Sequence, residues 1–66
     1  MIAVLAGSYP QYREWVRAHP GEKSAFCDSP EKIAGLRFTR VEIVGSFMER
    51  KDAADLLARV TPQVNR

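Results

Sequence analysis

The chain has 66 residues, enough for one domain and for a core that supplies no more than about 3–5 kcal/mol. Apolar residues make up 45% and charged residues 27%, the balance of an ordinary globular domain, and ten Lys/Arg against eight Asp/Glu leave a net charge of +2. These values argue against a multidomain enzyme, a membrane-spanning chain and a nucleic-acid binder with one concentrated basic face.

The first element is a continuous apolar run, Ile2–Ala6, which reads as a strand buried on both faces. It lacks the basic flank and the length of a signal core, so a cytoplasmic protein is expected. Gly7 ends the strand, and Ser8-Tyr9-Pro10-Gln11 is a helix start. Ser8 and Gln11 have capping-box spacing, and Pro10 falls in the first turn, where its missing N–H is not needed. Tyr12, Trp15, Val16 and His19 then form one helical stripe, with Arg13, Glu14 and Arg17 off it. Pro20-Gly21 stops the helix.

Ala25, Phe26 and Cys27 read as a second strand. Asp28-Ser29-Pro30-Glu31 opens a brief helix with Ile33 and Ala34 inward and Gly35 as its stop. Leu36 and Phe38 are expected to pack beneath that turn. Arg40–Val44 is a third strand, rich in β-branched residues. Its alternation of Val41 and Ile43 with Arg40 and Glu42 suits a sheet edge with one partly wet face. Ser46 and Glu49 repeat the capping-box spacing, and Ala53, Leu56, Leu57 and Val60 form a second long stripe that Thr61-Pro62 ends. Residues 63–66 are expected to fray as a tail behind a single domain over residues 1–62.

The order β-α-β-α-β-α predicts an α/β fold, a minimal three-stranded parallel sheet. The most apolar strand belongs in the centre, which gives the order 2-1-3 of half a Rossmann- or flavodoxin-like sheet. The first helix should then lie on one face and the other two on the opposite face. One helix cannot cover a whole face, and a partner chain is the simplest cover.

Two Gly-Ser-aromatic turns, Gly7-Ser8-Tyr9 and Gly45-Ser46-Phe47, follow strands that are neighbours in this order. Both fall at the carboxyl edge of the sheet, where open α/β folds bind ligands. Gly7, Ser8, Gly45 and Ser46, with Arg50 beside them, could cradle a small anion or the phosphate of a nucleotide on free helix N–H groups. The other reading is that glycine ends strands and serine caps helices, with no ligand at all. No Gly-x-Gly-x-x-Gly or Gly-x-x-x-x-Gly-Lys-Ser/Thr motif is present.

No catalytic set is legible. Cys27 suits a small buried hydrophobe better than a nucleophile. His19 suits a helix-end cap better than a base. Glu49, Asp52 and Asp55, interleaved with Arg50, Lys51 and Arg59, look like a solvated face. With one cysteine and one histidine, neither an internal disulfide nor a four-ligand zinc site is expected, and no cofactor is implied. Tyr12 and Trp15 are core candidates, and the alternative is that they anchor a partner.

The two Gly-Ser-aromatic turns occur with Ser29-Pro30-Glu31, Gly35-Leu36-Arg37 and the charged run Glu49-Arg50-Lys51-Asp52. In this order they resemble very short proteins of uncertain function encoded by bacteriophages, notably those of actinobacteria. The resemblance covers most of residues 1–60. It implies a Rossmann-like fold and a phage origin, and it brings no established activity and no catalytic residues. The expected function is that of a small non-enzymatic α/β interaction module, a phage accessory protein that self-associates or binds a host protein in the host-cell cytoplasm. The alternative is a nucleotide- or phosphate-binding domain built on the Gly-Ser edge.

Overall fold

A computed structural model describes residues 1–64. Strand β1 (Ile2–Ala6) is central, with β2 (Ser24–Phe26) on one side and β3 (Arg40–Val44) on the other, all parallel, in the order β2-β1-β3. The α/β architecture and the strand order are those the sequence predicts. Every residue of β1 is buried, the physical reason an unbroken apolar run takes the middle position. The second strand sits one residue earlier than expected: Cys27 lies just past it, its N–H still bonded to Val4 O at 3.0 Å.

Helix α1 (Tyr9–Ala18) covers one face, and α2 (Pro30–Ile33) and α3 (Ala53–Val60) cover the other. Side chains alternate along β1, so Ile2, Val4 and Ala6 pack with Trp15 of α1 while Ala3 and Leu5 join Ile33, Phe38, Phe47, Leu56 and Val60 on the far side. The second cluster is the larger and holds the biggest fully buried side chains, Phe38 and Phe47.

Three local expectations are corrected. Ser8 occupies the N-cap position of α1, but its side chain makes no capping bond, and Gln11 turns elsewhere. The third start signal gives only a 3-10 turn, Phe47–Glu49, and α3 begins at Ala53 after Asp52. The break lets Phe47 drop into the core while Arg50 turns back toward the sheet edge. At the other end, a second 3-10 turn, Thr61–Gln63, extends α3 past Pro62. Phe38 donates its N–H to Gln63 O at 2.9 Å, and Phe38 and Val64 form a parallel bridge. Gln63 and Val64, expected in a frayed tail, are thus held to the body of the domain, and the remainder of that tail, residues 65–66, lies outside the described residues.

On the face that α1 covers, β3 contributes Arg40, Glu42 and Val44, and Val44 packs against the Trp15 cluster. Arg40 reaches Glu42 at 3.2 Å and Glu22 at 3.1 Å.

Candidate functional site

The carboxyl edge brings together most of the residues singled out in the sequence. Gly7 follows β1, Asp28 and Ser29 follow β2, and Gly45 and Ser46 follow β3. The point between β1 and β3, where helices leave toward opposite faces, is the place a ligand would take in an open α/β sheet.

Here that point is filled by the chain itself. Gln11, in the first turn of α1, extends its carboxamide across to the β3 turn. Ser46 donates its N–H to Gln11 Oε1 at 3.2 Å, and Gln11 Nε2 donates to Ser46 Oγ at 3.3 Å. An amide oxygen accepts the backbone N–H that a phosphate oxygen would otherwise accept. Both glycines are explained by this contact. A Cβ on Gly7 would collide with the Ser46 hydroxyl and stand 2.6 Å from Gln11 Oε1. A Cβ on Gly45 would collide with the same carboxamide, and Gly45 also has a φ of +62°, a conformation that disfavours any side chain. The two Gly-Ser turns are packed against each other.

Arg50 is equally committed. Its Nε and one terminal nitrogen grip Asp52 at 2.8 and 2.9 Å. Its guanidinium also donates to Ala6 O at 3.2 Å and to Asp28 O at 3.3 Å. It ties the ends of β1 and β2 to the segment leading into α3. The Arg50 guanidinium holds the Asp52 carboxyl below its ordinary range, first by hydrogen bonding and then by charge. Such forked pairing suits Arg in a way that Lys cannot match. Ser8 stands apart: it is exposed, and its backbone oxygen accepts the N–H of Tyr12 at 3.2 Å.

The aromatic residues divide between core and surface. Trp15 is 6% exposed, packed on the sheet, with His19 stacked on it at 4.1 Å between ring centres. It packs as a core residue. His19 closes the helix end, with Nδ1 2.8 Å from Trp15 O. Tyr12 is half-buried, its ring stacked on Phe26 at 5.0 Å and its hydroxyl 3.1 Å from Ser24 Oγ. The exposed member of this group is Tyr9, 55% accessible and tilted against Tyr12 and Phe26. Arg13 and Lys32 lie over the Tyr9 and Phe26 rings.

Cys27 is fully buried, and burial, with help from Asp28, pushes its thiol up to about 11. A neutral buried thiol is a poor nucleophile. Among the described residues no cluster of three His, Cys, Asp or Glu side chains is placed to hold a metal ion, and no helix is long and apolar enough to cross a membrane. A shallow depression bounded by Glu14, Arg17 and Ala18 lies on α1 away from the carboxyl edge.

Sequence reasoning missed Gln11 and Tyr9. Gln11 was legible as a polar side chain long enough to leave its own turn, since a glycine opens each neighbouring turn. Tyr9 sat in a helix start, outside the apolar stripe, and that position is itself the signal of exposure. No protein-family model, curated protein or solved structure matches the chain.

Proposed function

We propose that the chain is a small α/β interaction module that acts by binding protein, either another copy of itself or a host protein, in the manner of a phage accessory factor in the cytoplasm. One observation carries this reading. Among the described residues, three of the four large apolar side chains that stand exposed lie toward the carboxyl end of the sheet, Tyr9 at 55%, Ile43 at 51% and Met48 at 61%, and the fourth, Met1 at 44%, lies at the other end. A chain that buries Phe38 and Phe47 completely has the means to bury apolar surface, and exposed apolar residues sharing one end are what a contact surface offers. The nucleotide alternative is less well supported, because Gln11 and Arg50 already use the groups that would hold a phosphate.

Photo-crosslinking from single positions tests the reading. A photoreactive side chain at Tyr9 or Met48 is expected to give discrete protein adducts in the producing cell. The same probe at Arg17, exposed on α1, is the control and is expected to give none. No adduct from Tyr9 and Met48, or the same pattern from all three sites, would refute the reading. A millimolar nucleotide that shifts the Gly45 and Ser46 amide resonances would favour the alternative.

A further inference from the structure

We propose that the outer edge of β2, with the Tyr9, Tyr12 and Phe26 rings beside it, takes an extended acidic segment of another protein as a fourth strand. The inference rests on the reading of the chain as a protein-contact module, and it names the surface and the chemistry of the partner.

Strand β2 has β1 on one side only and is half-buried along its length. Lys23 O accepts the Ile2 N–H at 2.9 Å, and Cys27 donates its N–H to Val4 O at 3.0 Å. Backbone groups alternate sides along a strand, so Lys23, Ala25 and Cys27 face β1. Ser24 and Phe26 therefore direct their N–H and C=O outward. Among the described residues no strand lies beside that row, and the described chain ends at Val64 next to Phe38, on the β3 side of the sheet. An open row of this kind is a template for another strand. With a donor and an acceptor from each of only two residues, strand addition alone holds a partner weakly, and side chains must supply the rest.

Those side chains stand on the face that α1 covers. The Ser24 hydroxyl lies 3.1 Å from that of Tyr12, and the Phe26 ring stacks on Tyr12 at 5.0 Å. Tyr9 tilts against Phe26 at 6.0 Å between ring centres and remains 55% exposed. A residue added opposite Phe26 has its Cβ about 4.5–5.5 Å away on the same face, so an apolar side chain there meets the rim of the Tyr9 and Phe26 rings. Charge selects the rest of the partner. Lys32 lies 5.7 Å from the centre of the Phe26 ring and is already matched by Asp28 at 2.9 Å. Arg13, exposed and 5.9 Å from the centre of the Tyr9 ring, makes no ion pair among the described residues. Of the two cations set against these rings it is the unmatched one, and a carboxylate on the added segment answers it. A second copy of the chain would bring another Arg13 to the seam and add like charge, so an acidic segment is the better occupant.

A library of displayed random peptides, selected on the whole chain, is the probe. Selection is expected to enrich aspartate or glutamate among apolar residues. A synthetic copy of the enriched peptide should slow hydrogen exchange at the Ser24 and Phe26 amides and leave those of α3 unchanged. Ser24→Pro removes an outward N–H at the first residue of the strand and leaves the bonds to β1 in place, and it is expected to weaken the peptide about tenfold. Ser24→Ala, which loses only the hydroxyl contact with Tyr12, should bind as the wild type does. Arg13→Glu should weaken the peptide about tenfold as well, and by less at high salt. Circular dichroism confirms that each variant folds. No enrichment, enrichment of basic sequences, or equal binding by Ser24→Pro and Ser24→Ala overturns the proposal. So does a single-stranded oligonucleotide that protects the same two amides when no peptide does. An edge that takes no peptide while Tyr9 and Met48 still give protein adducts overturns this proposal alone and leaves the broader reading standing.

Discussion

Replacing Gly45 by alanine tests whether the two Gly-Ser turns exist to pack on each other. The substitution places a methyl group where the Gln11 carboxamide lies, at a φ of +62°. The left-handed conformation costs a residue with a side chain about 1–2 kcal/mol. Displacing Gln11 loses its bonds to Ser46 N and Oγ, at about 0.5–1.5 kcal/mol each. The sum is about 3 kcal/mol, against a total of about 3–5 kcal/mol for a core of this size. Urea titration followed by circular dichroism measures it, and the melting temperature should fall by roughly 10–20 °C. The decisive comparison is the same substitution in a Gln11→Ala background. With the carboxamide gone the collision disappears, and the cost should drop to the backbone part, about 1–2 kcal/mol. A cost that is equal in both backgrounds would refute the packing argument, and a Gly45→Ala chain as stable as wild type would refute the backbone argument too.

Other substitutions probe the rest of the framework. Arg50→Ala should lose about 2 kcal/mol of stability, because it frees Ala6 O, Asp28 O and Asp52 together, and Arg50→Lys should recover little of it in a urea titration. The Asp52 carboxyl is held below its ordinary value, so its contribution is complete above the unfolded pKa near ~3.9 and is lost as pH falls through the lower folded value. Acid titrations of wild type and Asp52→Asn should converge below that range. The Cys27 thiol, pushed up to about 11, contributes stability that is complete below the unfolded value near ~8.5 and is lost as pH rises toward the folded one. Its labelling by a disulfide reagent at neutral pH should therefore follow unfolding, and rapid labelling of the folded chain would contradict its burial. Trp15→Ala should cost about 3–5 kcal/mol and leave the chain largely unfolded by circular dichroism. Trp15→Phe should cost less, since it also removes a buried Nε1–H without a hydrogen-bond partner among the described residues.

Much of the fold was legible because it follows from local rules. The unbroken run Ile2–Ala6 demanded a strand wet on neither face, and β1 is central with both faces covered. The stripes through Trp15 and through Leu56 placed their helices against the sheet, and both residues are buried. Helix boundaries were less secure, since Ser46 and Glu49 carry the spacing of a cap yet lie at a 3-10 turn. A cap is a local preference worth about 1 kcal/mol, and burying Phe47 outweighs it.

The sequence by itself determined the alternation of strands and helices, the central strand and the grouping of the Gly-Ser turns at one edge. Those properties depend on hydrophobic period and on residues near in the chain. Only the tertiary structure decided how that edge is filled. Gln11 and Ser46 are 35 positions apart, and Arg50 is 44 from Ala6, so their contacts leave no trace in local spacing. A free turn and a turn filled by a distant side chain read alike in the sequence, because serine and glycine satisfy both. The fold brings the distant side chain in, fills the expected crevice and leaves Tyr9 and Met48 exposed.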